Sequence, residues 1–227
     1  MTETTVIDPS TGLYEQFARI GKAVASARRV ELLDLLCQGE RSVEALAQTA
    51  GMSVTNTSQH LQILRAAHLV EARKEGTKVL YRVADEAVCR FFLELCELAH
   101  GRLAEVDQLV HRYLEGDGLE SLSREELLAR MEQGAVVLVD VRPPEEFASG
   151  HIAGAVSVPL GLLEELLDTL PADTEVVAYC RGPYCRLASQ ALEILRAHGV
   201  LARRLADGFP EWRLAGLPIA VEGEHES

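Results

Sequence analysis

"SVEALAQTAGMSVTNTSQHLQILRAAHLVEARKEGTKVLYRV", residues 42–83, changes its apolar period near Leu69, and that change decides how the first half of the chain folds. Before it, apolar residues recur at helical spacing. Ser42 opens a short helix that Gly51 stops, and Ser53 is placed to N-cap a second helix running to about Ala67. After it, "LVEARKEGTKVLYRV" alternates apolar and polar residues on both sides of Glu75-Gly76-Thr77-Lys78, which predicts a β-hairpin turning at Gly76. Upstream, "YEQFARIGKAVA" puts Phe17, Ile20, Gly21 and Val24 on one helical face. "ARRVELLDLLCQG" repeats the pattern with Val30, Leu32, Leu33, Leu35 and Leu36 and ends at Gly39. Helix, glycine turn, capped helix and hairpin together make a mainly α winged helix-turn-helix.

From Asp85 to about Leu114 the chain turns helical again, with a broad apolar face from Val88 to Val110 that calls for a partner helix. "EGDGLES", residues 115–121, reads as a linker. The second half then alternates. "SREELLARMEQG" is a helix with Ser123 and Glu126 in capping-box positions, "AVVLVDVR" a buried strand and "GLLEELLDTL" a helix. "TEVVAYC" is a second buried strand, "RLASQALEILRAHG" a helix and "VLARRL" a third strand. Strands alternating with helices predict an α/β domain with a parallel sheet flanked by helices, whose ligands bind at the carboxyl ends of the strands. Cys180 ends one of those strands. The expected boundaries are 1–114 for a DNA-binding and dimerisation domain, 122–222 for the α/β domain, and 223–227 for a disordered tail.

Composition bounds what the halves can do. The 227 residues are 48% hydrophobic and 25% charged, ample for two cores. No run suits a membrane span and the first residues lack a signal-peptide pattern, so the expected location is the cytoplasm, with no membrane partner. Five cysteines, at 37, 89, 96, 180 and 185, then read as thiols and not as a disulfide framework. A net charge of -13 repels nucleic acid at long range, so DNA binding needs a local basic surface. Residues 52–82 supply one, with Arg65, Arg73, Lys74, Lys78 and Arg82 against Glu71 and Glu75. From residue 119 onward, nine basic residues face eighteen acidic ones, so the acidity lies in the second half.

In the second capped helix, Leu61, Leu64 and Leu69 form the inner stripe, leaving Thr55, Asn56, Ser58, Gln59 and His60 as candidates to meet DNA. Asn and Gln can pair bidentately with adenine, and Ser and Thr bond phosphates. Arg73, Lys74 and Lys78 on the hairpin would follow the backbone and add a salt-dependent contribution. With its Ser58-Gln59-His60-Leu61 run and basic wing, residues 12–113 resemble the ArsR/SmtB family of bacterial repressors. That resemblance implies a homodimer assembled through the first and last helices, bound to double-stranded operator DNA and released by an inducer. Some relatives hold metals, but "SVEALAQ" lacks the cysteine pair and Leu98 and Gly101 stand where helix ligands belong, so no metal and no cofactor is expected. Other relatives sense reactive sulfur through thiols. Cys37, Cys89 and Cys96 are candidate redox thiols on that ground, and their positions also suit plain packing.

"VVAYCRGPYCRLASQ", residues 176–190, carries the other chemistry. Cys180 leaves a strand, precedes a helix and neighbours Arg181 and Arg186, and each of these features favours a thiolate. The arc from Arg181 through Gly182, Pro183, Tyr184 and Cys185 to Arg186 can cradle an anion, less the amide that Pro183 lacks. "LVDVRPPEEFASGHIAGAVSVPL", "YCRGPYCRLA" and "ADGFPEWRLAGLPI" follow in the order and spacing of a rhodanese domain, which the second half resembles. The resemblance implies that Cys180 is the catalytic nucleophile, taking sulfane sulfur from a donor such as thiosulfate or polysulfide and passing it to an acceptor thiol. It also makes residues 181–186 the active-site loop, Asp140 and Arg142 supports of that loop, and Gly208 and Trp212 structural closers. Asp207 stands where that family usually has glycine, and His151 reads as a structural residue after a turn.

Two alternatives stay open at this point. Cys180-x5-Arg186 also fits the oxyanion loop of arsenate reductases and phosphatases, although Pro183, Tyr184 and Cys185 are unlike the small residues such loops favour. The domain could also sense without turning over. Cys185 could resolve a persulfide or sulfenate on Cys180, or simply pack at the helix start. The expectation is therefore a transcriptional repressor with a sulfurtransferase-type domain as enzyme, as signal input, or as both.

Overall fold

The computed structural model describes residues 9–114, 121–167 and 174–222. The expected 223–227 tail and most of the expected linker lie outside them. In the first half, α1 (Pro9–Val24) and α2 (Ala27–Cys37) precede β1 (Arg41–Ser42), α3 (Val43–Thr49) and α4 (Val54–Ala66). The hairpin β2 (Val70–Glu75) and β3 (Lys78–Val83) leads into α5 (Glu86–Arg102) and α6 (Ala104–Leu114). The second half runs β4 (Ser121–Leu122), α7 (Arg124–Glu132), β5 (Val136–Asp140), α8 (Pro144–Ser149), β6 (His151–Ile152) and β7 (Val156–Ser157). After a 3-10 turn at Leu160–Leu162 come α9 (Leu163–Leu167), β8 (Glu175–Tyr179), α10 (Arg186–Ala197), β9 (Ala202–Leu205), α11 (Phe209–Leu214) and β10 (Ile219–Ala220). Contacts divide the chain into two compact units, and the division falls inside α5 between Phe92 and Leu93.

The first unit is a winged helix-turn-helix. Ser42 and Ser53 cap α3 and α4 by accepting the Ala45 and Asn56 amides at 3.2 Å each. Gly51 takes the left-handed φ of 60° that turns one helix into the next. The wing pairs in antiparallel register from Val70↔Val83 to Glu75↔Lys78, with Gly76 at φ 58° in its turn, and β1 adds a short third strand on β3. Leu32, Leu33, Leu36, Leu46, Leu61 and Leu64 are fully buried and form the centre of this core. On α1, Phe17 is exposed, together with Leu13 and Tyr14.

The second unit carries an all-parallel sheet in the order β4-β9-β8-β5-β7, with a separate antiparallel pair β6–β10. Central β8 is buried along its whole length, which is why "EVVAY" has no alternation. One face of the sheet packs Leu192 and Leu195 of α10, and the other packs Trp212 and Phe209 of α11. Ser123 and Glu126 form the expected capping box at the start of α7. The single helix expected over 85–114 is two, broken at Leu103, just beyond Gly101 and Arg102.

Candidate functional site

Two sites emerge, one in each unit. On α4, Thr57, Leu61 and Leu64 face the core, and Thr57 donates its hydroxyl to the Ser53 carbonyl at 3.0 Å. Thr55, Asn56 and Gln59 project outward and exposed. Ser58 and His60 sit on the flank and are half-buried, and His60 Nδ1 is enclosed without a hydrogen-bond partner among the described residues. The outward face is thus narrower than the five candidates suggested. At the C-terminus of α4, His68 adopts the left-handed φ of 58° and the Leu69 amide donates back to the Leu64 carbonyl at 3.0 Å, which aims the chain into the wing.

The wing cations divide. Lys74 and Lys78 stand exposed, whereas Arg73 grips the Glu40 carboxylate with two nitrogens, at 2.8 and 2.5 Å, and also bonds Glu75 at 3.0 Å. Hydrogen bonds to Glu40 and then Glu75 push the Arg73 guanidinium well above its ordinary range. Arg73 is therefore committed to carboxylates in this structure, which the one-dimensional reading of the wing could not foresee. Arg82 likewise pairs with Glu71, at 2.7 Å. Among the candidate redox thiols, Cys37 and Cys89 are fully buried and Cys96 is half-buried, all as reduced cysteines.

In the second unit, Cys180 follows the last residue of β8 and its sulfur is enclosed, the residue being 3% exposed. Its Sγ lies 3.5 Å from the Cys185 carbonyl and 3.8 Å from that of Gly182, so the thiol can donate into its own loop. The Cys185 amide closes the loop onto the Gly182 carbonyl at 3.1 Å. Cys185 occupies the N-cap position of α10. Burial, and then the neighbouring Cys185 side chain, push the Cys180 thiol up. Hydrogen bonding from Cys180, aided by the Leu187 and Arg181 backbone and by the Arg181 charge, brings Cys185 down to about 6. The pair thus favours negative charge on Cys185, at the helix start, over Cys180. Backbone groups of Ala188 and Gly182 still favour charge on Cys180, as a cradle requires.

Of three remote segments here, the first and third bond this loop directly and the second reaches it through Phe209. Glu146 of α8, buried, binds the Arg181 guanidinium through both carboxylate oxygens, at 2.6 to 3.1 Å. Sequence reading passed over Glu146. Its signal was an acidic residue beside Phe147 in a domain whose cysteine loop carries arginines. Asp140 and Arg142 form a completely buried pair at 2.6 Å, and Arg142 also donates to the Gly150 carbonyl at 2.8 Å and lies 4.5 Å from the centre of the Phe209 ring. From the third segment, Phe209 donates its amide to the Cys180 carbonyl at 3.1 Å. Gly208 lies so close to Arg181 and Gly182 that any Cβ there would overlap their backbone. Trp212 is buried and its indole donates to the Pro218 carbonyl at 2.9 Å.

Other residues around the loop take plainer roles. Asp207 bonds Arg124 at 2.6 Å. His151 stacks on Phe147 and bonds its carbonyl at 3.0 Å, which is the structural role expected of it. Arg186 is an exposed first residue of α10 and Pro183 is half-buried. Tyr184 is 40% exposed, with its hydroxyl 3.2 Å from His100 within the same unit. Glu211 was not anticipated. It accepts the Gly208 amide at 3.0 Å, comes within 3.3 Å of the place a Gly182 Cβ would occupy, and burial pushes its carboxyl up to about 7.

Comparison with known proteins finds a family for each half of the chain. Residues 26–72 match the bacterial regulatory protein arsR family, and residues 123–215 match the rhodanese-like domain. Over 212 residues the chain is 48% identical to the HTH-type transcriptional regulator Rv0324 of Mycobacterium tuberculosis, covering 93% of each protein. The chain is an ArsR-family DNA-binding regulator with a rhodanese-like domain. A sulfurtransferase of Allochromatium vinosum is 35% identical to the regulator over 106 residues, which is 46% of this chain and 96% of that protein. The homodimeric winged helix-turn-helix domain of Mb0332 from Mycobacterium bovis is 47% identical, with a TM-score of 0.41, over 45% of the regulator and 94% of that fragment. No helix among the described residues is long and apolar enough to cross a membrane.

Proposed function

We propose that the regulator is a repressor whose rhodanese-like domain accepts sulfane sulfur on Cys180, and that this loading is its signal. The observation that carries the reading is the placement of Cys180. It sits at the carboxyl end of the central strand, inside a backbone cradle that Glu146, Gly208 and Phe209 hold in place. Cys180, passing its proton to the Cys185 thiolate, would attack the outer sulfur of thiosulfate or polysulfide, forming an S–S bond and releasing sulfite or a shortened polysulfide. An acceptor thiol would then take that sulfur, or its presence would alter DNA binding. Likeness to the Allochromatium sulfurtransferase supports this chemistry.

In the first unit, Thr55, Asn56 and Gln59 would read base edges in the major groove, with Ser58 and His60 at its margin, while Lys74 and Lys78 would meet phosphates. Homodimerisation through the first and last helices is supported by exposed Leu13, Tyr14 and Phe17 on α1 and by exposed Leu98, Leu103 and Leu109 further on, surface that a second copy would cover. The domain limits proposed are 1–114 and 122–222, and the place of action is the cytoplasm. Intact mass of a Cys185→Ser chain, which cannot lose the sulfur to Cys185, tests the reading after incubation with thiosulfate or polysulfide: gain of one sulfur, about 32 Da, that adding Cys180→Ser abolishes is the expected result. No gain, with arsenate reduced instead, would replace it with the oxyanion reading.

A further inference from the structure

We propose that Cys185 is a resolving thiol, converting a persulfide on Cys180 into a Cys180–Cys185 disulfide with release of hydrosulfide. The inference rests on the sulfur-accepting reading of Cys180 and says what becomes of that sulfur. Three observations carry it. Both cysteines pack against one apolar cluster, with Val139, Ala188 and Leu192 among its members. The Cys180 sulfur lies 3.5 Å from the Cys185 carbonyl, and each thiol shifts the titration of the other. Cys185 stands at the N-cap of α10, where the helix dipole favours a negative charge, and it is the more accessible of the pair.

The sequence of bonds is complete. Thiosulfate gives up its outer sulfur to the Cys180 thiolate and leaves as sulfite. The proton taken up by Cys185 during loading passes to the persulfide anion, the Cys185 thiolate attacks Sγ of the resulting Cys180–S–SH, the new bond joins the two side-chain sulfurs, and hydrosulfide departs with the bonding pair. The sulfane sulfur is thereby reduced and the two thiols oxidised, so no further oxidant is required. A loop closed in this way no longer holds a transferable sulfur, and an external thiol resets it.

Trypsin cuts after Arg181 and Arg186, so a Cys180–Cys185 disulfide appears as two peptides joined by that bond. The experiment treats the full chain and its Cys185→Ser and Cys185→Ala variants with one equivalent of polysulfide, then reads intact mass, the linked peptides and released sulfide. The expected result is a loss of about 2 Da with sulfide release in the natural chain. In both variants it is a lasting gain of about 32 Da without release. A natural chain that keeps the added sulfur as the variants do would overturn this inference and leave sulfur acceptance standing. If no form gains sulfur or a disulfide, both readings fall.

Discussion

The two sites of the regulator use opposite strategies. On α4, the side chains proposed to read DNA are outward, exposed and set by one helix, so a single cap at Ser53 and a stripe of leucines suffice to present them. Around Cys180, the key groups are tied to other segments: Arg181 to Glu146, Arg142 to the Gly150 carbonyl, and the loop backbone to Phe209 with Gly208 pressed against it. A surface reader can lose one contact and keep the rest. An enclosed loop transmits each loss to the reacting sulfur.

The largest expected effect lies at the loop's centre. Cys180→Ser should abolish sulfur acceptance, seen by mass, while DNA binding of the reduced protein stays unchanged. If acceptance persisted, another thiol would be the site. Asp140→Ala should come next, because it strands a fully buried guanidinium. Loss of about 3–5 kcal/mol in urea unfolding of the second unit is expected. A smaller cost would mean that the Gly150 carbonyl and Phe209 ring already satisfy Arg142.

That contrast also explains what the sequence allowed. The wing register, both serine caps and the α7 capping box were legible because each depends on residues within a few positions of one another. The three rhodanese-like motifs placed Cys180, Arg142 and Gly208 in one domain. Glu146 was not legible, since its role depends on a partner 35 positions away, at Arg181, and neither was the burial of Glu211 against Gly182, 29 positions away. Sequence also could not say which of two cysteines keeps the charge, because that turns on burial and on which one reaches the start of α10. On the wing, Arg73 looked free until Glu40 from before β1 was found gripping it.

Effects on the reader should be smaller and separable. Gln59→Ala should cost about 1–3 kcal/mol on an operator selected from a random duplex library, with little change on unrelated DNA. Equal loss on both would make Gln59 a phosphate contact. Lys74→Ala and Lys78→Ala should each lower the slope of log affinity against log salt by about one, whereas Arg73→Ala should change it less because Glu40 and Glu75 already neutralise that cation.

The smallest effect concerns Glu211. Its carboxyl titrates near 7 when folded against an ordinary value of 4.5, so the unfolded chain gives up the proton first. Stability should therefore fall as pH rises from about 4.5 to about 7 and level off above. Glu211→Gln should raise Tm at about pH 8 and make little difference at about pH 4. The opposite ordering would show that the charged carboxylate is the form the loop prefers.

The central claim is that sulfur on the loop is read out as DNA binding. Operator affinity of the full chain, measured before and after one equivalent of polysulfide with loading checked by mass, tests it directly. The account predicts weaker binding after loading in the natural chain and none of that change in Cys180→Ser. Unchanged affinity in a chain whose Cys180 is demonstrably modified would contradict it.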